Sequence, residues 1–213
     1  MTADGATPRG RGLLVDFGGV LTTNVFQSFR AFCRAEGLAE DAFADLLRSS
    51  PETRAKLRQL ETAQIGADEF GRHLGPLLGV ADTDGLMGRL FAGIGPDLAM
   101  IDAVRAARGA GVRTGLISNS VGTDIYDRGV LDELFDAVVI SGEVGLHKPQ
   151  PEIFLLGAER VGLEPGACVF VDDLRENCAG AEDVGMTAVL HRGPERTLPE
   201  LERLLGVELA PVG

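Results

Sequence analysis

The sequence predicts an α/β fold: a Rossmann-like parallel sheet core with helices on both faces and an inserted all-helical cap. Three observations predict it. Short apolar runs bounded by glycine or acid recur along the chain, the first being Leu13-Leu14-Val15 ahead of Asp16-Phe17-Gly18-Gly19, and such runs read as buried strands. After Pro96, strand-like and helix-like segments alternate, the pattern of right-handed crossovers in a parallel sheet. Between these regions lies a stretch with helical periodicity and no β-rich run.

Taken in order, the first strand ends at Asp16, and Gly18 and Gly19 allow a tight turn. Asn24 is a candidate N-cap for a helix carrying Phe26, Phe29, Phe32 and Cys33. Helices are expected over 40–47, 52–60, where Pro51 fits the first turn, and 67–78. A helix over 97–110 is stopped by Gly109 and Gly111. There follow a strand at 112–117, a short helix at 124–130, a strand at 137–140 and a helix at 151–161. Then come a strand at 167–171, a helix at 175–184, a strand at 187–190 and a helix at 198–205. The domain division is therefore core 1–21, cap 22–95 and core 96–213. Met1 to Arg11 has no apolar h-region and reads as a frayed tail rather than a signal peptide.

With 20 Lys and Arg against 32 Asp and Glu, the net charge is −12. Such a surface repels phosphate backbones and anionic lipid, which argues against nucleic acid or a membrane as partner. Cys33, Cys168 and Cys178 are odd in number and show no CxxC spacing; they read as reduced thiols of a cytoplasmic protein. Monomer and homodimer both fit.

Chemistry-bearing residues gather beyond the expected strands: Asp16, then Ser118-Asn119-Ser120, then His147-Lys148-Pro149 before a helix, then Asp172-Asp173 with Asn177 following. Each alone is an ordinary cap, turn or surface residue. Together they place acids and a cation at one sheet edge, where α/β proteins bind ligands. Asp16, Asp172 and Asp173 offer the hard oxygen donors that Mg²⁺ takes. Lys148 can hold a phosphoryl oxygen as a point charge, and Ser118 with the backbone near Asn119 can hold another. So neutralised, a carboxylate can attack phosphorus.

These motifs, in this order, resemble the haloacid dehalogenase superfamily over nearly the whole chain. The resemblance is greatest to its helical-capped subgroup of phosphatases, haloacid dehalogenases and the N-terminal phosphatase domain of soluble epoxide hydrolases. It implies a Mg²⁺-dependent hydrolase of a small phosphorylated metabolite acting through an aspartyl-phosphate. By the same resemblance Asp16 is the nucleophile, and Ser118, Asn119 and Lys148 bind the phosphoryl group. The metal ligands it implies are Asp16, the Gly18 carbonyl, Asp172 and Asp173, with Asn177 in support.

One position departs from the pattern. Typical phosphatases of this family carry a second Asp two residues after the nucleophile, where this chain has Gly18. Loss of such a proton carrier slows turnover by roughly 10²–10⁴-fold, least for good leaving groups. Thr22, Thr23 and Asn24 are weak replacements; His147 has a suitable pKa range, while His73 and His191 are expected to be incidental. Two other readings follow: a non-catalytic phosphate-binding or regulatory protein, and a 2-haloacid dehalogenase. Gly18, the paired acids and the absence of a clear halide arginine weigh against the latter. Phe26, Phe29, Arg30 and Arg54 are candidate cleft residues of the cap.

Overall fold

The computed structural model describes residues 11–122 and 125–209. Apart from Arg11, the expected N-terminal tail lies outside them. A five-stranded, wholly parallel sheet forms the centre: β1 (Gly12–Val15), β2 (Arg113–Ser118), β3 (Ala137–Ile140), β4 (Cys168–Asp172) and β5 (Thr187–Leu190), in spatial order β3-β2-β1-β4-β5.

Alternation along the strands distributes their side chains between two layers. Leu13 and Val15 of β1 and Val169 and Val171 of β4 pack with Met100, Val104, Leu131 and Leu201. These come from α6 (Leu98–Gly109), α7 (Arg128–Leu134) and α11 (Pro194–Leu205). Leu14, Ile117 and Phe170 face the other way, onto Ile153, Phe154 and Ala181 of α9 (Pro151–Arg160) and α10 (Arg175–Asp183). Both faces are covered, which is why these strands read as continuous apolar runs.

The insertion is helical: α1 (Val25–Ala35), α2 (Ala42–Ser49), α3 (Pro51–Glu61), α4 (Ala67–Leu78) and α5 (Leu86–Phe91). Asn24 caps α1 by accepting from the Phe26 N–H, and Ser50 caps α3 through the Thr53 N–H. Phe32, Phe43, Leu60, Phe70, Leu74 and Leu90 make a core separate from the two sheet layers. The two linkers to this cap run side by side: the Thr23 N–H donates to Gly95 O at 2.8 Å, the Asp97 N–H donates to Leu21 O at 2.9 Å, and Thr22 bridges Pro96.

Several boundaries differ from expectation. The helix expected over 124–130 is α7, beginning at Arg128, because the Asp127 carboxylate accepts from the Gly129 and Val130 N–H groups. The last helix starts at Pro194, its ring serving the first turn. The sequence reading passed over α5, too short for a clear period, and α8 (Ser141–Val144). Because of α8, Lys148 follows a helix and not a strand.

Gly180 on α10 packs directly on the Lys148-Pro149 loop: a Cβ there would lie 2.8 Å from Pro149 O and 2.9 Å from Pro149 Cβ. Gly180→Val should lower unfolding stability by about 1–3 kcal/mol in urea titration; an unchanged midpoint would contradict the close approach of α10 to the Lys148-Pro149 loop.

Candidate active site

The register places the acids. Val15 lies opposite Leu116 of β2 and Val171 of β4, and the Asp16 N–H donates to Val171 O at 2.9 Å. Asp16, Ser118 and Asp172 therefore sit at the carboxyl ends of three adjacent strands. A turn follows in which the Leu21 and Thr22 N–H groups return to Phe17 O. Gly19 within it has φ +76°, and a Cβ there would meet the Asp173 carboxylate at 2.4 Å. Glycine here satisfies both the backbone conformation and the approach of Asp173.

Lys148 is buried, and its Nζ lies 2.7 Å from Asp16 Oδ1 and 2.7 Å from Asp172 Oδ2. Burial alone would lower the Lys148 pKa, but the two carboxylates hold it above the usual lysine range. Its backbone is clamped by Asn119, whose Oδ1 accepts from the Lys148 N–H at 2.8 Å and whose Nδ2 donates to Lys148 O at 3.2 Å. The Asn119 amide thus positions the lysine. The His147 ring is not among the residues lining the cavity; its Nδ1 lies 2.9 Å from Lys148 O.

Asp172 is fully buried. Its Oδ1 accepts from the Leu174 N–H at 2.8 Å, and Asn177 Nδ2 donates to Oδ1 at 3.0 Å and Oδ2 at 3.1 Å. Asp173 is less enclosed and borders the cavity with Asp16 and Gly18. Asp16, Asp172 and Asp173 each bring a carboxylate oxygen within 4.8 Å of the others. Burial pushes the Asp16 carboxyl above the usual carboxylate range, opposed by Lys148 and reinforced by Asp172. Burial, then the Asp172 charge, pushes Asp173 up to about 6. Three acids share one ammonium, and these hard oxygen donors fit a divalent cation.

Two contributors escaped sequence reasoning. Tyr126 is buried with its hydroxyl 2.8 Å from Ser118 Oγ and its ring edge-on to Phe17; nothing in its local sequence marks it. Glu61 ends α3 and borders the cavity. Its Oε2 lies 3.5 Å from Asn119 Nδ2, and its carbonyl accepts from the Ser141 hydroxyl. Burial pushes its carboxyl up to about 7, against the lowering effect of Lys148 and Arg58. At the sequence level Glu61 is one more acid in a charged helix.

Other candidates lie elsewhere. Arg30 pairs with Asp41, and Arg54 donates to Leu47 O and Arg48 O. Phe26 and Phe29 do line the cavity. His73 neighbours Thr53 inside the cap, and His191 Nδ1 lies 3.0 Å from Thr197 Oγ1. The three cysteines are buried and free.

The model of the haloacid dehalogenase-like hydrolases matches residues 11–185. The chain belongs to that family. Among the chain's relatives, the fructose-1-phosphate phosphatase YqaB of Escherichia coli is 32% identical over 146 residues, covering 67% of this chain and 73% of that protein. Bifunctional epoxide hydrolase 2 of Sus scrofa is 32% identical over 117 residues, 52% of this chain but only 21% of the relative. The match thus spans about a fifth of the epoxide hydrolase. A family enzyme from Bacteroides thetaiotaomicron, solved with magnesium and inorganic phosphate, shares the fold with a TM-score of 0.63 at 20% identity, over 86% of this chain and 94% of that one. Among the described residues no helix is long and apolar enough to cross a membrane.

Glu61 makes stability depend on pH. Its folded pKa of about 7 stands above the ordinary 4.5, so the folded state holds a proton that the unfolded chain releases. Its contribution is complete below pH 4.5 and lost as pH rises through 7, up to about 3 kcal/mol in all. Glu61→Gln should flatten this decline in denaturant titrations across that window; an unaltered slope would show that the carboxyl is not perturbed.

Proposed function

We propose that this hydrolase removes phosphate from a small phosphorylated organic molecule through an aspartyl-phosphate on Asp16. The observation that carries the reading is Lys148 Nζ held 2.7 Å from both Asp16 and Asp172 at the mouth of a cavity. This fixes a positive charge beside a strand-end carboxylate, where three phosphoryl oxygens need stabilising during transfer.

Asp16 attacks phosphorus as the ester P–O bond breaks, and the leaving oxygen takes a proton. Lys148 and the Ser118 hydroxyl hold phosphoryl oxygens, the latter fixed in direction by Tyr126. Water then attacks the phosphorus of the acyl phosphate, releasing inorganic phosphate and regenerating Asp16. The donor set fits Mg²⁺ held by Asp16, Asp173 and the Gly18 carbonyl. Asp172 stands in the same cluster, but its oxygens already accept from Lys148, Asn177 and the Leu174 N–H, so its chief task is to anchor Lys148. When bound, the cation neutralises charge on the transferring phosphoryl group. The buried free thiols fit a cytoplasmic setting. Among the described residues no arginine lines the cavity, which weakens the haloacid reading.

Phosphate release from para-nitrophenyl phosphate with Mg²⁺ should fall at least a thousandfold in Asp16→Asn and should vanish with a chelator, returning on Mg²⁺ addition. Equal rates in wild type and Asp16→Asn would overturn the reading. Tight phosphate-ester binding without turnover would favour a regulatory protein that retains the pocket.

A further inference from the structure

The cavity over Asp16 encloses about 750 Å³, within the range of small-molecule sites. Asp16, Ser118, Asn119, Lys148 and Asp173 form its polar floor; beyond them the charged lining groups are Asp127 on the core side and Glu61 on the cap side. The walls above are hydrocarbon and aromatic. Phe29 stands at their centre, edge-on to Phe26, Phe43 and Phe91 with ring centroids 5.9, 4.8 and 5.4 Å away. Leu57, Met87 and Ile94 complete the cap side, and Ile125 and Val130 the core side. Among the described lining residues the cap contributes one ionisable group, Glu61. Arg30 and Arg54 are turned to other partners. A polyol or sugar phosphate placed here would bury hydroxyls beside apolar walls, at about 1–3 kcal/mol for each one left unpaired. A hydrocarbon body would gain from the same walls.

We propose that the ligand of this cavity is a phosphomonoester of a long or branched hydrocarbon alcohol, its phosphate on the Lys148 floor and its chain among the cap phenylalanines. Its turnover rests on the phosphatase reading, whereas its binding does not. The test uses ethyl, butyl, hexyl and octyl phosphate below their micellar concentrations, with glycerol phosphate and a hexose phosphate, all with Mg²⁺. Full burial predicts a rise in kcat/KM of about fourfold per methylene, with both polyol esters below butyl phosphate. In parallel, calorimetry of the Asp16→Asn variant with the matching alkylphosphonates should show affinity rising with chain length. Turnover and affinity both flat in chain length, or a hexose phosphate preferred to octyl phosphate, would overturn the proposal while leaving the phosphatase reading intact. Chain-dependent binding without turnover of any ester would support the ligand class and overturn the phosphatase reading.

Glu61 bears on a different matter. It borders the cavity beside Asn119, and its end of α3 is tied to the core through the Ser141 hydroxyl. Nothing at Gly18 can carry a proton. We infer that Glu61, from the cap, protonates the leaving oxygen and then takes a proton from the attacking water. The charged groups facing it are Lys148, Arg58 and Glu176. Its carboxyl, pushed up to about 7 by burial, has both forms available near neutral pH. The test compares octyl phosphate, whose leaving group needs a proton, with para-nitrophenyl phosphate, whose leaving group needs none. Glu61→Gln should lower kcat on octyl phosphate about a hundredfold or more and far less on the aryl ester, and should remove the limb of the pH profile near 7. Equal losses on both esters, no loss on either, or an unchanged pH profile would overturn the inference.

Discussion

Lys148 is buried between Asp16 and Asp172, and much else in the core exists to keep it there. A buried ammonium is stable only while its carboxylate partners stay in place; removing one partner of such a pair typically costs about 3–5 kcal/mol. The strand register brings Asp16 and Asp172 side by side. Asn119 fixes the lysine backbone from both sides, Asn177 fixes Asp172, and α10 presses Gly180 against Pro149. These hydrogen bonds and contacts hold the charges in place, as the proposed electrostatic stabilisation of a transferring group requires.

The core was legible because its chemistry is local. Leu13 to Asp16 and Val169 to Asp172 are short apolar runs ending in acid, and a parallel sheet puts such ends together whatever connects them. The strands at 137–140 and 187–190 match the sequence reading to the residue. The failures share another cause. Asp127 starts α7 later than expected because its side chain, not the apolar pattern, sets the boundary. Tyr126 reaches Ser118, and Glu61 reaches Asn119 across 58 positions of sequence; no spacing rule marks contacts made by tertiary packing alone. The same blindness made Arg30 and Arg54 look equal to Phe26 and Phe29 as cleft residues.

Gly18 ties the two halves of the molecule together. Its lack of a side chain leaves the floor with a strand-end carboxylate, an ammonium and two further acids but no acid two residues after Asp16, and Gly18 borders the cavity that runs from Asp16 into the cap. The cap supplies what the floor lacks: apolar walls around Phe29 and one carboxyl held near neutrality by its burial. On the proposed reading, substrate choice and proton transfer both draw on the cap, whose two linkers are pinned together at Thr22 and Pro96.

The central claim is that Asp16 becomes covalently phosphorylated. Rapid acid quench during turnover of a radiolabelled phosphate ester, followed by proteolysis and peptide mapping, tests it most directly. The account predicts hydroxylamine-labile label on the peptide carrying Asp16. Turnover with no covalent label, or label on a different peptide, would contradict it.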